Sequence, residues 1–387
     1  MQGIRLAIFF SVFFIIFSLI SYYIFIRGWQ GMSGIPISTL KIGYIVLFVF
    51  FSFSYLAARI AGKHLPLPLA DTLATIGGFW FAAMLYFILL IVLFDIVRIT
   101  GNTFSLFPGY VLDHWDKIKE FVLIISIIFV FVMITMGYFN ANNLRVNRFE
   151  IDVQKSVDGL SELNIVVVTD IHLGHVIDAK FLNKIITGIN NLNPDLVLFP
   201  GDIVDEDLWP VIEKKLGEPF LKLKPRFGVW AVTGNHEYIG GEKAAVSYLS
   251  RFGIKFLRDE VANCDDLFYI VGREDITRNA FTSEKRKPLT QIVNNLETNR
   301  PVILMDHQPV ALAEAAEVGI DLQVSGHTHH GQMWPLNYIT RAAFKLSWGY
   351  KKIGSTHFYV SSGAGTWGPR VRIGSRPEIV LIRMNLQ

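Results

Sequence analysis

Five short segments of this chain, DIHLG, GDIVD, GNHE, DHQP and GHTHHGQ, follow one another in that order between residues 170 and 332. Together they offer Asp170, His172, Asp202, Asn235, His236, His307, His327 and His329 as polar side chains able to ligate a metal or move a proton. None is a thiol, which argues against copper(I) and iron–sulfur chemistry, whereas aspartate with imidazole suits manganese, iron(II), zinc or cobalt. Roughly seven first-contact side chains among these eight are too many for one ion of that kind. They suit two ions that share a carboxylate at a separation of about 3.5–4 Å, an arrangement that generates hydroxide near neutral pH and clamps the oxygens of an in-line phosphoryl displacement. Each segment alone is weak. DIH or DHQP is more often a strand end with a capped turn, and GNHE is a tight turn in which Gly and Asn both tolerate left-handed geometry. The pair His327 and His329 lies two apart, so in an extended segment both project to one side with Thr328 facing away. Five such segments in one order are poorly explained by coincidence.

The elements around them read as an α/β domain. LNIVVVTD is a continuous apolar run, as in a strand buried on both faces. DLVLFPGD, GVWAVTGNH, LFYIVG, PVILMDHQP and LQVSGHTHH are further short apolar strands, and FEIDVQ alternates like an edge strand. AKFLNKIITGINNL has helical spacing and stops before Pro194, and EKAAVSYLSRF and ALAEAAEV are helical as well. This alternation predicts a largely buried sheet core. The candidate ligands fall at the C-terminal ends of the core strands, where ligands bind in open α/β sheets.

The five motifs in this order resemble the calcineurin-like metallophosphoesterases, over residues 163–387. SGHTHHGQ and the closing GTWGPRVRIGSRPEIVLI are most similar to the membrane-associated bacterial branch, which commonly carries HTHGGQ; here His330 replaces the first of those glycines. The resemblance implies a two-sheet β-sandwich flanked by helices. It implies one ion held by Asp170, His172, Asp202 and His329, and a second by Asp202, Asn235, His307 and His327, with Asp202 bridging. It further implies that His236 steadies the transition state or protonates the leaving oxygen, and that Asp205 and Glu237 orient the ligands. Manganese, iron or zinc would serve, manganese being the first expectation. His175, His330 and His357 lie outside the motif positions and are expected at the surface or the substrate rim.

The first half of the chain is of a different kind. Apolar stretches at 6–26, 42–58, 73–94 and 121–139 approach the roughly 20 residues that cross a hydrocarbon core, the second being the shortest. The first resembles a signal peptide in having Arg5 ahead of it, but it is longer than a usual signal core and no small-residue cleavage site follows. It is read as a retained helix. Four spans place both chain ends on one side. That face carries Arg5, Arg59, Lys63, Arg145 and Arg148 against Arg27, Lys41, Arg98, Lys117 and Lys119 on the other, a balance that leaves orientation open. Asp71 and Asp95 fall at the ends of the third stretch, where water would reach them, with Asp95 at helical pairing distance from Arg98. This half therefore reads as an anchor, with room for a lipid-facing cavity, and not as a pump. The expected organisation is a transmembrane domain at 1–140, a linker and edge strand at 141–160, and a phosphoesterase domain at 161–387, in an integral, multi-pass protein of the cell membrane.

The 387 residues are 51% hydrophobic with a net charge of +3, and the mean hydropathy is +0.39. No global basic field argues for nucleic acid. Cys264 stands alone, which excludes an intramolecular disulfide and a cysteine-rich zinc site; a small, partly buried thiol is the expectation. The segment QMWPLNYITRAAFKLSWGYKK interleaves Trp334, Tyr338, Phe344, Trp348 and Tyr350 with Arg341, Lys345, Lys351 and Lys352. It is either a membrane-interface wall of the active site or a loop whose aromatics pack on the domain. The first choice predicts a phospholipid or lipid-linked (pyro)phosphate substrate. The alternatives are a phosphodiesterase acting on nucleotides and a non-catalytic receptor or scaffold that has kept the fold. The partners expected are the bilayer and a phosphate ester; the oligomeric state is open.

Overall fold

The computed structural model describes residues 2–34, 38–297 and 299–387; the Arg5 of the charge count falls among residues 1–10, whose side chains lie outside that description. The chain divides into two compact units, Met1–Tyr138 and Phe139–Gln387.

Among the described residues four helices are long and apolar enough to cross a membrane: Gln2–Gly31, Ser38–Ala61, Leu67–Thr103 and Trp115–Ala141. All outrun the apolar stretches that mark them, because a helix continues through polar residues once its backbone ladder has started. The third corrects the expectation for Asp95. It runs on to Thr103, so Asp95 lies within the helix and is 7% exposed. Tyr23 and Arg27 both donate to Asp95 Oδ2, and Arg98 Nε stands 3.4 Å from Oδ1. A carboxylate buried to that degree is tolerable only when paired. Among the described residues, Ile24, Phe48 and Met84 form the buried centre of the bundle.

The described residues of the second unit form twelve strands: β1 Arg145–Val153, β2 Glu162–Val167, β3 Leu196–Pro200, β4 Val229–Val232, β5 Ile254–Phe256, β6 Glu260–Cys264, β7 Phe268–Gly272, β8 Val302–Met305, β9 Leu322–Ser325, β10 Gly349–Ile353, β11 Thr356–Val360 and β12 Glu378–Leu386. They form two six-stranded sheets, ordered β1-β12-β2-β3-β4-β5 and β10-β11-β9-β8-β7-β6. The strands β2 to β5 of the first sheet and β7, β8, β9 and β11 of the second run parallel. β1 is an edge strand whose full length pairs with β12, so residues 142–144 are all that separates it from the fourth long helix.

The continuous apolar runs follow from burial on both faces. Ile165, Val167, Leu198 and Val232 of one sheet meet Ile270, Ile303, Met305 and Val324 of the other in the central layer. Val166, Val197 and Phe199 point the opposite way, against Phe181, Leu182, Ile185 and Ile186 of helix Ala179–Asn190. That helix starts where Asp178 accepts a hydrogen bond from Phe181 N (2.8 Å). Leu304 and Phe358 pack outward on Leu312 and Ala315 of helix Leu312–Glu317. At roughly 1.5–3 kcal/mol for each large apolar side chain removed from water, these layers fix where the strand ends stand. The loops leaving β2, β3, β4, β8 and β9 are the ones that carry the five motifs.

Candidate metal centre

Asp170 and Asp202 follow β2 and β3 in neighbouring loops and are buried at 0% and 2% exposure. The backbone N–H of His327, beyond β9 in the other sheet, donates to both oxygens of Asp170 (2.9 and 3.1 Å). The two sheets are therefore joined at the site itself. Close approach requires Gly326: a Cβ there would stand 2.1 Å from Asp170 Oδ2.

Two groups of donors meet at Asp202. On one side His172 Nε2 and His329 Nε2 face each other at 3.0 Å, with Asp170 Oδ1 3.5 Å from His329 Nε2 and Asp202 Oδ2 3.8 Å from His172 Nε2. On the other, Asn235 Oδ1 lies 3.1 Å from His307 Nε2 and 2.7 Å from His327 Nδ1, and His307 Nε2 is 3.1 Å from Asp202 Oδ2. Asp170, His172 and His329 form one cluster able to hold an ion, and Asp202, His307 and His327 form another. The donors fit the two-ion expectation. Opposed imidazole nitrogens at 3.0 Å make sense when both lone pairs address one cation, and two buried carboxylates need positive charge beside them.

The protonation tendencies point the same way. Burial drives His327 down to about 3 and, with the charges of His172 and Arg372, takes His329 well below its usual range, so both stay neutral and keep a lone pair to give. His307 sits 2.8 Å from the Pro200 carbonyl through Nδ1, which places its N–H there and bares Nε2 toward Asp202. Burial opposes a charged His307, but Asp202 and its neighbouring carboxylates outweigh burial and raise it well above the normal histidine value. A proton on that nitrogen occupies the place a metal would take.

His236, beside Asn235 in sequence, lies outside those two groups and converges instead with His172 and Asp202 and with Asp205 and Glu206. Its Nδ1 is 3.0 Å from Asp205 Oδ1, and its backbone N–H donates to Asp202 Oδ1 (2.9 Å). Burial disfavours its charge, yet Asp202 and Asp205 prevail and push it up to about 9. Asp205 also stands 3.6 Å from His172 Nδ1, and these histidines hold its carboxyl far below the usual range despite burial. Glu237 makes its hydrogen bonds, among the described residues, to backbone and not to a candidate ligand side chain. It accepts from the backbone N–H of Asp202, Val204 and Gly234 (3.0, 2.9 and 2.7 Å) and so shapes the GDIVD turn.

The metal turn corrects one expectation. Residues 327–330 are not extended: His327, His329 and His330 have φ of 70°, 46° and 49°, with Thr328 in the right-handed region between them. The two histidines diverge because the backbone curls, and Thr328 is turned away to donate to the Ser347 carbonyl. Asp170, His172 and Asp202 also have positive φ (53°, 53° and 51°). Such strain, about 1–3 kcal/mol per residue, gathers at functional sites.

His330 and His357 are buried at 6% and 4% exposure and do not lie on the surface. His330 Nδ1 faces Ser347 Oγ (3.3 Å) and its Nε2 faces Arg341 (3.4 Å); His357 bridges Tyr350 OH (2.8 Å) and the Asp152 carbonyl (3.2 Å). His175 is half-buried, with its ring 5.9 Å from that of Trp209. Two residues escape sequence reasoning. Arg372, wholly buried, donates to the carbonyls of Ser362, Gly363 and Gly365 and lies 3.3 Å from His329 Nδ1. Asp275, also wholly buried, accepts from Gln308 (3.0 Å), and burial raises its carboxyl. A charged residue inside RVRIGSR or GREDITR looks solvated, and only the fold reveals its burial.

Aromatic rings border the ligands. Phe344 stands edge-on to His327 at 5.9 Å, Trp348 meets His330 at 5.3 Å, and Trp367 meets His236 at 6.0 Å. Trp334, Tyr338, Ile339, Trp348 and Trp367 are each at least 45% exposed.

Residues 163–331 match the calcineurin-like phosphoesterase family. An uncharacterized metallophosphoesterase of Helicobacter pylori is 33% identical over 58% of this chain and 60% of its own length. A transmembrane protein with metallophosphoesterase domain from Danio rerio is 31% identical over 67% of this chain and 62% of its own. An uncharacterized metallophosphoesterase of Aquifex aeolicus is 31% identical over 62% of this chain and 91% of its own. The match thus spans less than two thirds of the first two relatives and most of the third.

Proposed function

This chain belongs to the calcineurin-like metallophosphoesterases, and from that premise we propose that it is a membrane-anchored, two-metal phosphoesterase that hydrolyses a phosphate ester or pyrophosphate carried on a lipid. The observation that carries the catalytic part is the meeting of two donor groups at Asp202. Asp170, His172 and His329 would hold one ion with Asp202, and Asn235, His307 and His327 the other. Bound there, divalent ions supply Lewis acidity to the phosphoryl oxygens and an activated water. Manganese, iron and zinc all suit these oxygen and nitrogen donors, and manganese is the first to try.

The chain's own groups do the rest. His236, with Nδ1 3.0 Å from Asp205 Oδ1, is the donor for the leaving oxygen. Asp205 holds the His236 ring and steadies His172 from the side away from the ligands. Arg372 keeps the loop at 362–365 against His329.

The lipid part rests on the rim. Phe344 and Trp367 stand beside His327 and His236, and the exposed aromatics of 334–348 offer a hydrocarbon-bearing substrate a surface that a simple phosphate has no use for. Four candidate spans in the same chain keep the enzyme in the bilayer where such a substrate resides.

The test is a product screen on the full chain in detergent, with a glycerophospholipid, a lipid pyrophosphate and nucleotides side by side. Hydrolysis of a lipid substrate, lost in His327→Ala, is the expected result. Cleavage of water-soluble nucleotides alone would replace the lipid reading with a nucleotide phosphodiesterase. Full activity in His327→Ala would remove the two-metal assignment.

A further inference from the structure

The helical unit contains a half-open cavity of about 630 Å³ whose lining residues all lie between Ile24 and Ile127. That volume falls within the roughly 300–1,000 Å³ of small-ligand sites. Most of the wall is hydrocarbon and aromatic, with Phe48, Phe51, Trp80, Phe87, Ile91 and Leu123 among its residues. Its charged groups gather at one end. Arg27 lies near the end of the first long helix, Arg98 near the end of the third and Lys119 near the start of the fourth, and no described lining residue is a carboxylate.

The counter-charge behind the wall is too small for the cations in it. Asp95 serves both Arg27 and Arg98, which leaves one positive charge over. Lys119 pairs at 2.7 Å with Asp116, whose side chain is 69% exposed, a pair of little worth. Three donors on lining residues, Arg27 Nε, Arg98 Nε and Trp80 Nε1, are buried and have no hydrogen-bond partner among the described residues, and Asp95 Oδ1 behind them likewise has none. Tying the first helix to the third needs one arginine on Asp95; it needs neither the second arginine nor the hollow beside it. An apolar hollow with a cationic end matches an amphiphile with an anionic head.

We propose that this cavity binds one acyl chain of an anionic phospholipid, with the phosphate at Arg27, Arg98 and Lys119. The phosphate supplies the missing negative charge beside Arg27, Arg98 and Lys119, and the chain fills the aromatic hollow. A zwitterionic lipid brings its own cation and gains less. The site is a binding site, independent of the catalytic reading above.

Native mass spectrometry of the full chain in mild detergent, with phosphatidylglycerol and phosphatidylcholine of identical acyl chains, tests it. Phosphatidylglycerol should be retained about tenfold more strongly, as one charge-assisted contact in a dry site predicts. The Arg27→Gln/Arg98→Gln double variant should reduce phosphatidylglycerol to the phosphatidylcholine level. Ser126→Trp, which fills the hollow from a lining position, should lose both lipids. Metal content and hydrolysis of a water-soluble phosphodiester should stay at the wild-type level in every variant, which separates this site from the metal centre. Equal retention of the two lipids by the wild type overturns the proposal. So does phosphatidylglycerol retention unchanged in Ser126→Trp or in Lys119→Gln, which carry the test if the double variant does not fold.

Discussion

Asp202 has no substitute among the side chains of the site. Its Oδ2 stands between His307 and His172 while Oδ1 accepts the His236 N–H, so one carboxylate touches both donor groups and the proton donor. Asp202→Asn keeps the shape and removes the charge that two cations would share. Hydrolysis of a generic phosphodiester should fall by more than the 10–100-fold typical of partners one step from a metal, and metal content per chain should drop; a near wild-type rate with full metal would remove the bridge. Arg372→Lys probes one such step. Lysine cannot fork onto three carbonyls, so activity should fall about 10–100-fold and recover in part with added metal; loss of fold without any metal dependence would make Arg372 a packing residue only. All seven candidate ligands were legible because the chemistry fixes their types and the motifs fix their spacing. Arg372 and Asp275 were not, since an isolated charge in the sequence carries no sign of burial.

The elements that bear these residues are short strands that end in strained turns. Five of the candidate ligands, Asp170, His172, Asp202, His327 and His329, have positive φ, a conformation the layers of packed sheet must hold against about 1–3 kcal/mol each. Gly326 is where that holding is tightest, because a methyl group there meets Asp170 Oδ2 at 2.1 Å and Thr169 Oγ1 at 2.3 Å, both buried. Gly326→Ala should cost about 1–3 kcal/mol, lowering the melting temperature of the second unit by roughly 2–12 °C, and metal content should fall with it. An unchanged melting curve and full metal would show that the two sheets do not meet rigidly at this turn. The strands themselves could be read from sequence because burial on both faces leaves unbroken apolar runs. The turn at 327–330 could not: a residue two apart suggests one face of an extended strand, and left-handed φ at histidine leaves no periodic trace. Asp95 was misplaced for the opposite reason, since a polar residue ends an apolar run without ending the helix beneath it.

At the scale of the molecule, one chain is built for two solvents. The first unit exposes Leu19, Tyr22, Ile42, Phe53, Phe121 and Phe131 on helices fit to cross a membrane, a surface that water would not tolerate at that extent. The second is an ordinary layered domain, and residues 142–144 are the only chain between the last long helix and its first strand. A soluble substrate has no need of that short tether, whereas a lipid substrate must be met at the interface. The two cases differ in which concentration governs the rate. With a lipid phosphate in mixed micelles at fixed bulk concentration, added inert detergent dilutes the substrate within the surface, and hydrolysis by the full chain should fall in proportion to its mole fraction. With a water-soluble phosphodiester in the same micelles the rate should not change. A rate on the lipid phosphate that follows its bulk concentration and ignores its mole fraction would mean that the enzyme draws substrate from water, and that its membrane helices locate the protein without presenting the substrate.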